Sequence, residues 1–167
     1  MKELFNFRTK RGIVFLCYCI LIALTVCFIF NNSSFSKEES AAQSESLASF
    51  IKPIIDFANR LSFNEFEHIV RKLAHFSEFG LLGVELALLA FHISRKFKPR
   101  DAVYAAFASL LIADLDEFLQ LFTERGSMVS DVFIDFSGAL CGIAAGYILM
   151  AVITSIRKKA HEKKLNK

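Results

Sequence analysis

Long apolar runs separated by short polar segments dominate the chain. The first run, residues 12–30, is uninterrupted and long enough to cross a bilayer as a helix. Three further apolar segments follow, at about residues 73–93, 102–122 and 128–153. This pattern predicts an all-α fold, an integral membrane bundle of about four transmembrane helices.

The first run has a rival interpretation as a secretory signal peptide. It is long for the apolar core of such a peptide, and the segment NNSSFS after it offers no clear cleavage site between small residues. We therefore favour an uncleaved first transmembrane helix that follows a short cytoplasmic N-terminus, residues 1–11.

The segment between the first two spans, residues 31–61, predicts an outer loop that contains one amphipathic helix. Residues 31–43 are polar and rich in serine, which is typical of a loop. From Leu47 to Leu61, apolar residues recur at helical spacing with polar residues between them. Such a helix either lies on the membrane surface or packs against the other helices.

Local signals predict the ends of the remaining helices. Ser62 followed by Glu65 fits a capping box, which marks the start of the helix that becomes the second span. That helix should end before Arg95, and Asp101 is a candidate N-cap for the third span. The core of the bundle then covers residues 62–153, and a basic cytoplasmic tail, residues 154–167, follows.

The distribution of Lys and Arg predicts the orientation of the bundle. With four spans, fourteen of the 20 basic side chains fall on the side that carries both termini, and six fall on the other side. Because basic residues are enriched in cytoplasmic segments, both termini should be cytoplasmic.

Composition agrees with a membrane protein of one helical unit, since 54% of the 167 residues are hydrophobic and the mean hydropathy is +0.42. The four cysteines lie inside apolar runs, which predicts small buried hydrophobic residues rather than a disulfide or a cysteine metal site. The expected partners are the lipid bilayer and a lipid-linked or amphiphilic ligand. A homo-oligomer is an open alternative, and no nucleic-acid partner is expected.

Several ionisable residues converge on the outer side in this topology, although such residues are costly to bury in a bilayer. At about 100° per residue, Arg71, Lys72, His75 and Glu78 share one face of the second span. The third span and the start of the fourth add five polar residues, namely Asp116, Glu117, Gln120, Asp131 and Asp135. We expect these residues to form one site of mixed charge.

The fourth span carries a stripe of glycines below its two carboxylates. Gly138, Gly142 and Gly146 form a G-x-x-x-G-x-x-x-G ridge, which permits close contact between helices in lipid. The ridge should point the carboxylates into the bundle, toward the second span. Deeper in the second span, Glu85 either extends the polar site toward the membrane centre or is hydrogen-bonded to a neighbouring helix.

The polar residues also stand in a recognisable order. The segments RKLAHFSEFGLLG, DEFLQLF and DVFIDFSGALCG, with Arg125 between the last two, resemble the VanZ-like family of small membrane proteins. The resemblance covers about residues 70–150. One departure is that Thr123 and Glu124 replace the Pro-Gly pair that usually precedes the arginine.

The resemblance implies a multi-pass protein of the bacterial plasma membrane that acts at the cell envelope. The family takes its name from a protein linked to resistance to the glycopeptide teicoplanin, and it implies no particular reaction. Carried over residue by residue, it points to a binding set of Lys72, His75, Glu78, Asp116, Glu117, Gln120, Arg125, Asp131 and Asp135.

Several roles stay open for this set. A site that binds or transports a lipid headgroup, an amphiphilic drug or an ion is the role that we expect. In an enzyme, a histidine and carboxylates would serve as general acid and base on a lipid-linked substrate. The candidate catalytic residues are His75, Glu78, Glu117 and Asp131.

A divalent metal is a further alternative, because an imidazole and carboxylates from three helices could complete one coordination shell. The candidate metal ligands are His75, Glu78, Asp116 and Asp135. In a purely structural role, the charges would form an ion-pair network that fixes the register of the helices.

Overall fold

The computed structural model describes residues 9–55, 62–96, 98–123 and 128–165, apart from the side chains at 37, 53–55, 164 and 165. In these ranges the chain forms five α-helices and one 3₁₀ turn, and no strand. The helices are α1 Lys10–Ser33, α2 Lys37–Ile55, α3 Phe63–Ser94, α4 Pro99–Gln120 and α5 Val129–Leu165, and the 3₁₀ turn is Leu121–Thr123. The predicted all-α fold is confirmed.

Three of the described helices, α1, α3 and α5, are long and apolar enough to cross a membrane. The helix α4 has 22 residues. At 1.5 Å per residue its length is about 33 Å, but Asp114, Asp116 and Glu117 interrupt its apolar stretch. The structure therefore supports a helical membrane protein, and a fourth span through α4 stays a prediction.

The predicted boundaries of α3 are confirmed. At its N-terminus, the Ser62 hydroxyl and the Glu65 side chain form the expected capping box. At its C-terminus, Arg95 adopts a left-handed conformation with a φ of 57°, and its N–H donates to the Phe91 carbonyl at 2.8 Å. The helix thus ends before the basic segment that follows it.

The predicted loop over residues 31–43 is wrong at both ends, because α1 continues to Ser33 and α2 begins at Lys37. A second capping box explains the early start. The Ser36 N–H donates to Glu39 Oε2 at 2.9 Å, and the Glu39 N–H donates to Ser36 Oγ at 3.3 Å. This pair satisfies the first backbone donors of α2, so a serine-rich sequence forms a helix here.

The helix α2 packs on α3 through an apolar cluster of Ala48, Phe66 and Val70. Packing against another helix was one of the two alternatives for the predicted amphipathic helix. Residues 56–61, which include the end of that predicted helix, lie outside the described ranges.

Asp101 is not the N-cap of α4, contrary to the prediction. The helix begins with Pro99 after Lys98 as N-cap, because the fixed φ of proline suits the first helical position. Asp101 lies in the first turn instead, and its carboxylate accepts a hydrogen bond from the Ser94 hydroxyl.

The helix α5 continues without a break to Leu165, past residue 153, where the fourth span is predicted to end; the boundary between that span and a cytoplasmic tail stays a prediction. Lysine and arginine are good helix formers, so a basic sequence does not end a helix. Lys158 also pairs with Glu162 one turn later, with 4.0 Å between the charged atoms.

The cysteines are free thiols, as predicted, but the expectation that all are buried is wrong. Cys17, Cys27 and Cys141 are exposed on the outside of the bundle. An apolar side chain that faces lipid needs no burial in protein, because lipid chains are as apolar as the protein core.

The glycine ridge of α5 lies directly against α3, as predicted. A Cβ added to Gly138 would lie 2.2 Å from the Phe76 carbonyl oxygen, and one added to Gly142 would lie 1.9 Å from the Gly80 carbonyl oxygen. Gly146 is buried on the same side. Larger residues would force the two backbones apart, so the ridge fixes which face of α5 meets α3.

Four helices converge in one buried apolar cluster. It contains Ile29 of α1, Phe79 of α3, Ala113 of α4 and Ala139 of α5. This packing holds the polar ends of α3, α4 and α5 next to each other.

Candidate functional site

A polar cavity of about 200 Å³ lies between α3, α4 and α5, at the end of the bundle where α4 leads into α5. Six residues of the predicted binding set line it, namely Lys72, His75, Glu117, Gln120, Asp131 and Asp135. The cavity also contacts His68 and Arg71, which lie on the same face of α3 but outside that set. We call this space the headgroup cavity.

The α4 wall of the headgroup cavity is built from buried polar side chains. Asp116 is fully buried, and Glu117 and Gln120 are nearly so. Gln120 Nε2 donates to Asp116 Oδ2 at 3.1 Å, which orients that carboxylate. Glu117 Oε2 accepts the Met128 N–H at 3.1 Å and so holds the start of α5 against α4.

Among the residues that the structure describes, the cavity has two cations, and both are paired with carboxylates. Lys72 forms an ion pair with Asp131 of α5, and Arg71 forms one with Glu67 of its own helix. The Arg71 Nε–H also donates to Ser44 Oγ of α2 at 3.3 Å. The side chains of Lys72 and Asp131 are 27% and 33% exposed. Such partly solvated pairs can exchange their partner for a ligand at modest cost.

Three potential metal ligands converge beside the headgroup cavity. One ligand atom each from His75, Asp116 and Asp135 lies within 4.8 Å of the other two. His75 Nδ1 is 3.9 Å from Asp135 Oδ1. Asp135 is 1% exposed. Its Oδ2 accepts no hydrogen bond from any residue in the described ranges.

Glu78 and Glu85 face α1. Asn32 Nδ2 donates to Glu78 Oε1 at 2.9 Å, and Thr25 Oγ1 donates to Glu85 Oε1 at 3.0 Å. The partners are seven residues apart on each helix, so the antiparallel helices present two polar layers to each other. Of the two alternatives for Glu85, the hydrogen bond to a neighbouring helix is confirmed.

Two further cavities continue around α3 from the headgroup cavity. The middle one, of about 120 Å³, is polar and shares Arg71 and His75 with the headgroup cavity. The third, of about 390 Å³, is lined by apolar side chains except Ser77, and it shares Leu47, Val70 and Ala74 with the middle one. A polar space is thus linked to an apolar one through common walls.

The structure therefore brings together eight of the nine predicted binding residues, at the headgroup cavity or directly beside it. Arg125 and the neighbouring Glu124 lie outside the described ranges. Sequence reasoning missed Thr25, Asn32 and Ser44, which contact site residues from α1 and α2. The common spacing of seven in α1 and α3 is the signal that could have revealed Thr25 and Asn32.

A comparison with models of known protein families gives a match to most of the chain. A family model with the description VanZ/LLP1 matches residues 15–151. The match therefore includes α1 and α2, which the sequence motifs left outside the resemblance. Neither a curated protein sequence nor a solved structure matches the chain.

Proposed function

Because the chain belongs to the VanZ/LLP1 family of membrane proteins, we propose that it binds the phosphate-bearing headgroup of an amphiphilic envelope molecule. The proposal takes α4 as a fourth span, with both termini in the cytoplasm. The headgroup cavity then opens toward the outer face of a bacterial plasma membrane, because it lies at the opposite end from the basic segments.

The observation that carries this proposal is the row of three linked cavities around α3. An amphiphile needs a polar space for its headgroup and an adjoining apolar space for its chain. The headgroup cavity supplies the first, and the apolar cavity between α2 and α3 supplies the second. The middle cavity lies between them, and it shares Arg71 and His75 with the first and Ala74 with the second.

The size and the cations of the headgroup cavity support a small anionic headgroup. Its volume of about 200 Å³ is below the range of about 300–1,000 Å³ for pockets that enclose drug-sized ligands. A whole glycopeptide therefore does not fit. Lys72 and Arg71 are the donors that would contact a phosphate. A contribution to teicoplanin resistance would follow from an effect on envelope lipids, not from enclosing the antibiotic.

Lipid binding to the purified full-length protein tests the proposal. Native mass spectrometry would compare phosphatidylglycerol and undecaprenyl phosphate with diacylglycerol, which has a chain but no phosphate. We expect both phosphate lipids to bind and diacylglycerol to bind at least five-fold more weakly. Equal binding of all three would show that the polar cavity is not used.

Two substitutions with opposite expected signs separate ligand binding from a structural role. Lys72→Gln removes a phosphate donor and should weaken binding about ten-fold, the value of one hydrogen bond to a charged group. Asp131→Asn releases Lys72 from its ion pair and should strengthen binding. If the pair were only structural, both substitutions would destabilise the protein and leave lipid binding unchanged. Lys96→Gln, at an exposed position, is the matched control.

A bulky side chain at the junction of the cavities tests where the hydrocarbon chain of the lipid lies. Ala74→Phe should reduce binding of the phosphate lipids, because Ala74 lines both the middle and the apolar cavity. Ala144→Phe introduces the same side chain on the exposed surface of α5 and should have no effect. In cells, Lys72→Gln should raise sensitivity to teicoplanin at matched protein levels, and Lys96→Gln should not.

A further inference from the structure

We propose that His75, Asp116 and Asp135 bind one divalent metal ion, such as Zn²⁺, beside the headgroup cavity. The three residues come from three different helices, α3, α4 and α5, which are fixed by the packing of the bundle. The metal would therefore join these helices at one point. Two of the ligands, His75 and Asp135, line the headgroup cavity, but the metal needs no lipid to bind because all three ligands belong to the protein.

The distances between the candidate ligands suit one ion. Nitrogen and oxygen ligands lie about 2.0–2.2 Å from Zn²⁺, so two donors in its tetrahedral shell are about 3.3–3.6 Å apart. The donor atoms of His75, Asp116 and Asp135 already lie within 4.8 Å of one another. Side-chain rotations that bring the donors up to about 1.5 Å closer to one another would place them at bonding distance.

The buried carboxylate of Asp135 is an independent observation that favours cation binding at this site. This side chain is 1% exposed, and its Oδ2 has no hydrogen-bond donor in the described ranges. Buried carboxylates are normally paired with a cation or with several donors, because desolvation without compensation is costly. Asp135 lies in the wall of the headgroup cavity, so an ion can reach it.

The charges around Asp135 make the need for a cation greater. It is repelled by the carboxylates of Asp116, Glu117, Asp131 and Glu78. Among the described residues at this cavity, Lys72 and Arg71 are the cations, and each is paired with a carboxylate other than Asp135. A divalent ion would offset both the desolvation of Asp135 and its repulsion by Asp116.

The donor set indicates the class of metal. Imidazole suits Zn²⁺ and other transition metals, whereas sites made only of oxygen suit Mg²⁺ and Ca²⁺. Gln120 already orients Asp116 by a hydrogen bond of 3.1 Å, which is the second layer of contacts that metal-binding carboxylates usually have. Glu78 was also a candidate ligand, but its Oε1 accepts a hydrogen bond from Asn32, and it is not one of the three converging residues.

Zinc binding to the full-length protein in detergent tests the site, with elemental analysis after dialysis against ZnCl₂. We expect about one zinc per chain, and a loss of at least ten-fold in affinity for Asp135→Asn and His75→Gln. Asp114→Asn is the matched control, because Asp114 is an exposed residue of α4. No zinc in the wild-type protein, or equal binding by Asp135→Asn and Asp114→Asn, would overturn the proposal.

X-ray absorption of the wild-type zinc complex gives a readout that does not depend on the folding of a variant. We expect a first shell of nitrogen and oxygen only, with scattering from one imidazole. A sulfur shell would assign the zinc to cysteines and would contradict the site. Neither zinc measurement contains lipid, so the two proposals are tested separately. Absence of zinc would not contradict headgroup binding, and absence of lipid binding would not contradict the metal site.

Discussion

Gly142 of α5 lies so close to Gly80 of α3 that a Cβ on Gly142 would be 1.9 Å from the Gly80 carbonyl oxygen. The relationship is not symmetric. A Cβ on Gly80 would meet its nearest neighbour, the Gly138 carbonyl oxygen, at an ordinary 3.6 Å. The ridge on α5 therefore needs its glycines, whereas Gly80 has room for a methyl group.

Gly142→Ala should destabilise the protein, because the atom in its way is backbone and cannot rotate aside. Overpacking of this kind costs about 1–3 kcal/mol, which thermal unfolding in detergent would detect as a lower Tm. Gly80→Ala is the control and should leave the Tm nearly unchanged. Similar effects of the two substitutions would show that α3 and α5 do not pack as described.

The order of helices α3 to α5 and their inward faces could be predicted because lipid imposes two strong patterns. Apolar runs mark the helices, and helical phase places Gly138, Asp131 and Asp135 on one side. The start of α2 could not be read from composition. The helix starts at the hydrogen-bonded capping pair Ser36 and Glu39, which is hard to recognise within a serine-rich segment.

The partners of the acidic residues on α3 were also beyond prediction from α3 alone. Glu78 and Glu85 could have paired with any neighbouring helix. The structure turns them toward Asn32 and Thr25 of α1, whose common spacing of seven residues becomes informative only once α1 and α3 are known to be neighbours. In the sequence, Thr25 is a short polar residue within an apolar run and Asn32 lies in the polar segment after it, so neither stands out.

Thr25→Val should lower stability, because it removes the hydroxyl that donates to Glu85 Oε1 while keeping the shape of the side chain. Hydrogen bonds between membrane helices contribute about 0.6–1.7 kcal/mol, so a decrease in Tm is expected. Thr154→Val is the matched control, since the Thr154 hydroxyl donates to the Met150 carbonyl of its own helix. An equal Tm for both variants would contradict a stabilising role for the Thr25 contact.

The orientation of the protein is tested by the accessibility of single cysteines. In a background with the four native cysteines replaced by alanine, Glu38→Cys should react with an impermeant thiol reagent in intact cells. His161→Cys should react only after the cells are opened. Both positions are exposed in the structure. Labelling of His161→Cys in intact cells would show that the orientation is the reverse of the predicted one, with the headgroup cavity facing the cytoplasm.

The buried carboxylate of Asp135 has a consequence for stability. Without metal, its Oδ2 is buried and has no donor in the described part of the chain, and other carboxylates repel it. Residues placed for a ligand are often unfavourable in the absence of that ligand. Asp135→Asn replaces the carboxylate by a neutral amide of nearly the same shape, which the neighbouring carboxylates do not repel and which can donate a hydrogen bond to them. It should therefore raise stability in EDTA by about 1 kcal/mol, the net contribution of one hydrogen bond.

Thermal unfolding with EDTA and with ZnCl₂ checks this prediction. In EDTA, Asp135→Asn should have a higher Tm than the wild-type protein, and Asp114→Asn should be unchanged. With ZnCl₂, the Tm of the wild-type protein should rise because the metal binds only the folded state, whereas that of Asp135→Asn should not. A lower Tm for Asp135→Asn in EDTA would show that the carboxylate stabilises the metal-free bundle. That result would contradict the expectation that Asp135 is unfavourable unless a cation is bound.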